Sequence, residues 1–419
     1  MIRTKIALLR ANSLVMNSFY LMLASGAVAA FGFVFWAAVA HAFADSEVGI
    51  AATILSLSSL ISLLSLAGFD TTFIRFLPKS TRREDYVNSG LIIAGGLSVV
   101  LSLGFLVGFP FFAPNLAFVS QTPLYALGFV VFNVFTTLNT LTNAIFTAYR
   151  RAGYILGINV LFSAVKVALP FVVVGGGAMA IFTISGIAQV IGVALSFWAM
   201  AAKFGHVFRL KVHRDIVALS KKYAFVVYCS SVLNLLPPTI LPLIITHEIG
   251  AEFTAYYYMA FTIATLLYTI AYASMQSVFA ESSHAEEALR AHLKKAAKLL
   301  AILLVPSMIA LAMIAPFILS VFGANYAKNG TLLLQLFAAS ALFVGLYSAA
   351  GMVFKVRHAM AALMAMNVAY TLVIIGVSYA AIAQLQLVGI GLAWLAGNVT
   401  AVLVGIVVYS ITRRNLHLR

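Results

Sequence analysis

Long apolar stretches, separated by short polar connections, recur along almost the whole chain. A helix of about 20 apolar residues is long enough to cross the hydrocarbon core of a bilayer. Because lipid offers no partners for backbone N–H and C=O groups, we expect each stretch to form a helix. The twelve predicted spans cover residues 14–40, 48–68, 87–109, 123–148, 154–174, 178–202, 223–246, 253–278, 296–320, 331–354, 359–383 and 387–410.

The composition agrees with an integral membrane protein. The chain is 63% hydrophobic and only 9% charged, whereas about a quarter of the residues in a soluble domain are charged. Its single cysteine, Cys229, excludes an internal disulfide bond. The sequence contains no metal-binding cluster, no phosphate-binding glycine loop and no catalytic triad. We therefore expect no metal, no cofactor and no enzymatic activity.

The net charge of +15 is distributed in a way that indicates membrane topology. Every Lys and Arg except Lys166 and Lys328 lies in the N-terminal segment, in the C-terminal tail or in every second connection between predicted spans, if Lys298 at the start of the ninth span is counted with the connection before it. Because positively charged loops stay in the cytoplasm, we expect both termini there, in a multi-pass protein of the cytoplasmic membrane. The basic loops then lie near anionic lipid, and we expect no nucleic acid partner.

The two halves of the chain resemble each other. Glu47 and Glu252 stand at the start of the second and eighth spans with an offset of 205 residues. Six spans in each half favour a parallel duplication, an architecture that places the substrate between the halves. We therefore predict an all-α integral membrane protein with two six-helix lobes around a central cavity. The predicted parts are a first lobe at 1–202, a cytoplasmic linker at 203–222 and a second lobe at 223–419.

One basic residue, Lys166, lies near the middle of a predicted span. A lysine at that depth costs about 3 kcal/mol on insertion scales. It is tolerated where it faces a hydrated cavity or an anion, or where hydrogen bonds hold it in a structural role. A cavity lysine would suit a phosphate group, because its charge offsets the loss of water around the anion. Both interpretations of Lys166 stay open at this point.

Polar side chains form continuous lines along two predicted spans. Residues three and four apart share one face of a helix, so each line runs the length of its span. Isolated Ser and Thr in membrane helices mostly make interhelical hydrogen bonds, which is the alternative to a hydrated cavity suited to sugar hydroxyls. The candidate cavity residues are Asn133, Thr137, Thr140 and Asn143 in the fourth span and Tyr258, Thr262, Thr265, Thr269, Tyr272 and Gln276 in the eighth.

The seventh span contains Asn234, a further candidate cavity residue, and the prolines Pro237, Pro238 and Pro242. Proline removes a helical hydrogen bond and bends a helix, so this segment predicts either a hinge or a static kink. Arg75 lies at the cytoplasmic end of the second span. It is a candidate for drawing in an anionic headgroup, and it fits a topology role equally well.

Three segments resemble the polysaccharide-biosynthesis flippases, relatives of the O-antigen flippases in the multidrug/oligosaccharidyl-lipid/polysaccharide exporter superfamily. They are GFVFWAAVAHAFADSEVGIAATILSLSSLISLLSLAGFDTTFIRFLP (32–78), IGAEFTAYYYMAFTIATLLYTIAYASMQSVFAESS (249–283) and FGANYAKNGTLLLQLFAAS (322–340). The resemblance implies two six-helix lobes around a cavity, which move lipid-diphosphate-linked oligosaccharide from the inner to the outer leaflet. The basic cavity residues of such flippases would correspond to Lys166 and Arg75 here.

The resulting hypothesis is an alternating-access flippase for a lipid-linked oligosaccharide. Membrane lipids are its expected neighbours, and glycan polymerases or glycosyltransferases are candidate protein partners. Two alternatives stay open, namely a cation- or proton-coupled small-molecule antiporter and a non-transporting membrane scaffold for glycan assembly. Antiporters of the superfamily usually carry a carboxylate inside a lobe, whereas Asp70 and Glu248 lie at the edges of their spans.

Overall fold

The structure, a computed structural model, describes residues 13–173, 175–282, 289–357 and 359–417. Within these ranges the chain is helical almost throughout and forms no strand. The helices are α1 (Ser13–Ala42), α2 (Asp45–Leu66), α3 (Phe69–Phe76), α4 (Arg83–Phe112), α5 (Ala117–Gln121), α6 (Pro123–Ala148), α7 (Ala152–Ala168), α8 (Gly177–Phe204), α9 (Arg214–Glu248), α10 (Ala251–Ser282), α11 (Leu289–Ser320), α12 (Ala324–Val356) and α13 (Met360–His417).

The twelve predicted spans correspond to the long helices. Ten helices in the described ranges are long and apolar enough to cross a membrane. One of them, α13, covers the last two predicted spans, and its helical geometry is interrupted at Gln386 (φ 49°, ψ −133°). The eighth predicted span corresponds to α10, whose side chains are described only in part and which is not counted among the ten. Its sequence is rich in Tyr and Thr, which gives it more polar groups than a helix of aliphatic residues alone would carry.

The chain folds into two compact units. The first unit consists of Met1–Ala44 with Ile54–Tyr228, and the second of Asp45–Thr53 with Cys229–Arg419. The connection after α8 is shorter than the linker predicted at 203–222. Helix α8 continues to Phe204, α9 begins at Arg214, and residues 205–213 lie outside helices. The first turns of α2 belong to the second unit, which the sequence pattern did not indicate.

In the first unit, α1 lies along α7, and α6 packs against both α4 and α8. Aromatic rings fasten the ends of these helices together. Tyr154 of α7 stacks on Phe146 of α6 with ring centroids 5.6 Å apart, and its other neighbour is Phe204 of α8 at 5.4 Å. Further along, the ring of Phe132 lies directly on the backbone of Gly186, where any side chain would overlap it.

In the second unit, α12 packs against α10, α11 and α13. Aromatic side chains from three of these helices meet inside the unit. Phe261 of α10, Phe337 of α12 and Trp394 of α13 have ring centroids 5.0 to 5.7 Å apart in edge-to-face contacts. Each such pair adds about 0.5–1.5 kcal/mol beyond the burial of its area. Packing of this kind matters in a membrane, where helix association gains little from the hydrophobic effect.

Close backbone contact explains why the start of α2 belongs to the second unit. Gly49 lies so near to α10 that a Cβ atom on it would overlap the carbonyl oxygen of Ala251. One turn earlier, the Asp45 carboxylate accepts hydrogen bonds from the Tyr256 hydroxyl at 2.8 Å and from the Asn325 amide at 3.0 Å. The segment is therefore fixed by both a tight contact and polar bonds.

This contact gives a test of the fold. We expect Gly49→Ala to destabilise the protein by about 1–3 kcal/mol, because the new methyl group must displace backbone. Gly96→Ala is the matched control, since no atom lies within 4 Å of a Cβ at that position in α4. The measurement is the thermal midpoint of each purified variant in detergent. Equal midpoints for the two variants would contradict the close approach.

The segment 205–213 is anchored to the start of α4 by two histidines. His206 is 8% exposed, and its Nε2 lies 3.1 Å from Oδ1 of Asn88. The ring of His213 lies 3.3 Å from the carboxylate of Asp85. The connection between α8 and α9 is therefore held in place by side-chain contacts.

The buried histidine makes stability depend on pH. Burial lowers the pKa of His206 below its usual value, and the nearby Glu84 partly opposes this effect. The unfolded chain binds a proton at this histidine first, with a pKa of about 6.5. The stability that the neutral His206 side chain contributes is therefore fully present above about pH 6.5, and it is lost as the pH falls toward the lower pKa of the folded state. We expect the thermal midpoint to fall in this window, and to fall less in His206→Gln. His41→Gln, at an exposed position in α1, should keep the wild-type pH profile; identical profiles for both variants would reject the assignment.

Candidate functional site

The polar line of α10 is accessible, whereas the opposite face of the same helix is buried. Tyr272 is 41% exposed, Thr269 is exposed, and Tyr258, Thr262 and Thr265 are half-buried. The buried positions of α10 include Ala255, Tyr257, Ala260, Ala264, Tyr268, Ala271 and Met275. The predicted line is thus a surface and does not belong to the core of its own unit.

The threonine hydroxyls of this surface are oriented by their own helix. Thr265 donates to the carbonyl oxygen of Thr262 at 2.7 Å, and Thr269 donates to that of Thr265 at 2.9 Å. A hydroxyl group has one proton and two lone pairs, so each of these oxygens is left as an acceptor. The surface therefore offers acceptors to a ligand that carries hydroxyl donors. Gln276 also lies in α10, but its side chain is outside the part that the structure describes.

Two members of the polar line predicted in α6 are packed between helices. Asn133 and Thr137 are fully buried. Their side chains donate hydrogen bonds to Ser102 and Ser98 of α4, at 3.1 and 3.2 Å. Bonds of this kind are the interhelical alternative to a cavity role, and burial keeps these two side chains off the accessible surface in this conformation.

The other two members of that line are accessible. Thr140 is exposed and Asn143 is half-buried. Thr140 donates to the carbonyl oxygen of Thr136 at 3.1 Å, and Thr147 donates to that of Asn143 at 2.8 Å. This part of α6 therefore repeats the arrangement in α10, with hydroxyl oxygens left as acceptors.

Lys166 lies near the C-terminal end of α7 and is half-buried. Its Nζ is 4.1 Å from the ring centroid of Phe35 in α1, a side chain that is fully buried. A cation over an aromatic ring gains about 0.5–2 kcal/mol. Within the part of the chain that the structure describes, no carboxylate and no hydrogen-bond acceptor pairs with this ammonium group. The ring holds the charge in place without neutralising it.

The short helix α3 carries the other charges of interest. Arg75 is exposed, and its guanidinium carbon lies 5.5 Å from the ring centroid of Phe76. Asp70 is half-buried. Burial raises the pKa of the Asp70 carboxyl, while hydrogen bonds from the backbone of Thr71 and of Asp70 itself oppose this. Such a carboxyl takes up a proton at a higher pH than an exposed aspartate does.

Helix α9 contains its three prolines without a break between Arg214 and Glu248. Pro237 has no N–H to donate to the carbonyl of Leu233, four residues earlier. That carbonyl instead accepts a hydrogen bond from the hydroxyl of Thr371 in α13, at 2.7 Å. A second helix therefore repairs the bond that proline removes. The hinge role of the prolines stays a prediction.

Asn234 lies in a polar network within the second unit. It is half-buried, and its Oδ1 accepts a hydrogen bond from the Tyr347 hydroxyl of α12 at 2.6 Å. The same hydroxyl contacts Oδ1 of Asn367 in α13, and Nδ2 of Asn367 donates to Oγ of Ser230 in α9. Sequence reasoning missed Tyr347 and Ser230 as members of this network. The available signal was the pair of polar residues four positions apart in each of α9 and α13.

Comparison with known proteins places this arrangement in context. A family model described as polysaccharide biosynthesis protein matches residues 38–329. No curated protein matches the chain. A multidrug resistance MATE family transporter of the MOP superfamily, in an inward-facing conformation, is 14% identical with a TM-score of 0.70, over 92% of this chain and 95% of that one.

Two other solved structures share the fold. The lipid II flippase MurJ, in an inward closed conformation, is 14% identical with a TM-score of 0.71, over 95% of this chain and 87% of that one. A MATE transporter of the MOP superfamily in an outward-facing conformation is 14% identical with a TM-score of 0.64, over 96% and 95% of the two chains. The described chain is helical almost throughout and shares the fold of these multi-pass transporters, so the predicted fold class is confirmed.

The bond between α9 and α13 can be tested directly. We expect Thr371→Val to cost about 1 kcal/mol of stability, because it leaves the Leu233 carbonyl without the donor that replaces its helical partner. Thr269→Val is the matched control, since that exposed hydroxyl bonds only to a carbonyl of its own helix. Thermal midpoints in detergent measure both effects. If Thr269→Val lowered the midpoint as much as Thr371→Val, the repair of α9 would not be a stabilising interaction.

Proposed function

Because the chain belongs to the polysaccharide biosynthesis protein family, we propose that it is a flippase that moves a lipid-diphosphate-linked oligosaccharide across the cytoplasmic membrane. The chain is a multi-pass membrane protein with the fold of MOP-superfamily transporters, and one of the similar structures is a lipid II flippase. Family and fold agree with a membrane step in polysaccharide synthesis. The nature of the substrate is inferred from the surface of α10.

The observation that carries the proposal is the accessible hydroxyl face of α10. A lipid-facing helix would gain nothing from Thr269 and Tyr272 at exposed positions. An oligosaccharide presents many hydroxyl donors, and threonine oxygens whose protons are already donated to the helix can accept them. The face contains no charged side chain among its described members, which suits a neutral glycan better than a cationic solute. Thr140 and Asn143 of α6 offer similar groups.

The proposed role of Lys166 is to bind the diphosphate. An anion that leaves water needs a compensating charge, and a lysine can supply it. The ammonium group of Lys166 lies on the Phe35 ring and pairs with no carboxylate in the described residues, so its charge is available to a ligand. Arg75, exposed on α3, is the proposed second contact for an anionic headgroup.

We propose alternating access as the transport mechanism. Similar transporters have been solved in inward-facing and outward-facing conformations, and α9 with Pro237, Pro238 and Pro242 is the proposed hinge. Glycan polymerases or glycosyltransferases are the proposed partners, because a flippase for an oligosaccharide must receive its substrate from one enzyme and pass it to another.

Proton-coupled antiport of a small molecule is the second candidate function. Two observations favour it, namely the MATE transporters among the similar structures and the raised pKa of the half-buried Asp70 carboxyl. An antiporter of this kind would couple transport to protonation of Asp70. It would then lose activity in Asp70→Asn, a change to which a flippase without proton coupling is indifferent.

The test is translocation of a lipid-diphosphate oligosaccharide in proteoliposomes. We expect a variant that combines Thr265→Val, Thr269→Val and Tyr272→Phe to lower the rate by about tenfold, equivalent to about 1.4 kcal/mol of barrier. Ser307→Ala is the matched control, because it removes a hydroxyl that bonds to its own helix, at 2.7 Å from the Leu303 oxygen, on the apolar helix α11. Efflux of small cations without glycan translocation, abolished by Asp70→Asn, would favour the antiporter.

The same assay separates the two interpretations of Lys166. If the lysine binds the diphosphate, Lys166→Gln lowers translocation and Lys166→Arg retains most of it, since arginine preserves the charge. A rate unchanged in Lys166→Gln, together with a lower thermal midpoint, would leave the flippase function intact and give Lys166 a structural role on the Phe35 ring.

A further inference from the structure

A cavity of about 370 Å³ in the first unit lies outside all the residues discussed as transport candidates. It is formed where the start of α1 meets the turn between α6 and α7. Its lining residues are Met16, Asn17, Tyr20, Arg150, Arg151, Ala152, Gly153 and Tyr154. We name it the arginine pocket, and we propose that it binds the phosphate group of a lipid.

The two arginines supply charge that the protein does not neutralise. Arg150 and Arg151 are both exposed. Among the described residues, neither guanidinium group takes part in an ion pair or a hydrogen bond, and none of the described residues that line the pocket is Asp or Glu. Guanidinium groups bind phosphate through paired N–H donors, so two of them in one cavity favour a phosphate ligand.

The remaining polar groups of the pocket are also suited to an anion. Tyr20 and Tyr154 line the pocket, and their phenol hydroxyls can donate hydrogen bonds. The Oδ1 atom of Asn17 accepts the backbone N–H of Ala152 at 2.8 Å, which leaves the amide NH₂ group as a donor. Donors therefore reach the cavity from both α1 and α7, and an anion bound there would contact several of them at once.

The backbone at Arg150 is an independent sign of a functional constraint. Arg150 has φ 55°, in the left-handed region. It ends α6 in a Schellman motif, with the N–H of Arg151 bonded to the Phe146 oxygen at 2.9 Å and its own N–H bonded to the Thr147 oxygen at 3.0 Å. This position normally favours glycine, since a side chain is strained there. A guanidinium group that binds a ligand gives a reason for arginine at this position.

A neighbouring cavity of about 350 Å³ shares Arg151 but differs in charge. It is lined by Glu84 and His206 as well as by Arg83 and Arg151. The Glu84 carboxylate would repel a phosphate, so the anion belongs on the Arg150 side of the turn. The arginine pocket is therefore the more selective of the two for an anionic group.

The phosphate has two chemical sources in a membrane. One is the diphosphate of a lipid-linked glycan, which would make the pocket an early contact for substrate, and this source rests on the proposed function. The other is the headgroup of an anionic phospholipid, which does not depend on that function. The chemistry of recognition is the same for both, and the test must separate them.

The test measures binding to the full-length protein in detergent with three probes: inorganic pyrophosphate, a prenyl diphosphate and phosphatidylglycerol. Native mass spectrometry suits the two lipids and calorimetry suits pyrophosphate. We expect the double variant with Arg150→Gln and Arg151→Gln to weaken binding by about tenfold or more. Lys79→Gln, which removes an exposed charge outside both cavities, should change binding by less than about twofold.

The pattern of loss identifies the source. Weaker binding of pyrophosphate and prenyl diphosphate supports the glycan-lipid diphosphate, and weaker binding of phosphatidylglycerol alone supports a phospholipid headgroup. The proposal is overturned if the double variant binds all three probes like the wild type. It is also overturned if Lys79→Gln weakens binding as much as the double variant does. Because binding is measured without transport, a failed translocation assay would remove the flippase function and leave the pocket standing.

Arg150→Gly separates binding from folding. Glycine fits the left-handed backbone, so we expect the thermal midpoint to stay equal or rise. Binding of the lipid phosphate should nevertheless fall, because the Arg150 guanidinium group is absent. Wild-type binding in Arg150→Gly would show that the guanidinium group of this residue does not contact the ligand.

Discussion

Every backbone N–H and C=O group in the hydrocarbon core of a membrane must find its partner inside the protein, because lipid supplies none. The long helices meet this requirement almost everywhere. Where Pro237 removes a donor from α9, the hydroxyl of Thr371 takes its place at the Leu233 carbonyl. At this position α13 thus supplies the donor that α9 lacks, and the proline is accommodated by a side-chain hydroxyl of the neighbouring helix.

The same hydroxyl chemistry serves two purposes, and the presence of a neighbouring helix decides which. The Thr137 hydroxyl lies 3.0 Å from the Asn133 carbonyl oxygen of its own helix and 3.2 Å from Oγ of Ser98 in α4, so it joins two helices. Thr140, one turn later, donates to its own helix and leaves its oxygen accessible. Both residues are threonines on one helix, so the difference arises from the neighbour that each one meets. The accessible set in α10 and α6 gives a mostly apolar protein a surface of hydrogen-bond acceptors.

The positions of the spans could be predicted from the sequence because apolar length is a local property. The break at Gln386 and the place of residues 45–53 in the second unit could not, since both depend on packing between distant segments. For the candidate site, the helical spacing of the polar lines was sufficient to find them. The spacing could not show that Asn133 is buried while Asn143 is partly accessible, because burial depends on the partner helix. It also gave no reason to expect a hydrogen bond between Tyr347 and Asn234.

The polar face of α10 also has a consequence for how the protein is made. The accessible face of α10 carries Thr262, Thr265, Thr269 and Tyr272, so its partition from the insertion channel into lipid is weaker than that of a wholly apolar helix of the same length. We expect α10 to leave the channel together with α11, whose apolar surface can carry it into the bilayer. Substitutions that make α10 more apolar would then ease biogenesis while they remove the hydroxyl groups, and selection for expression would act against selection for transport.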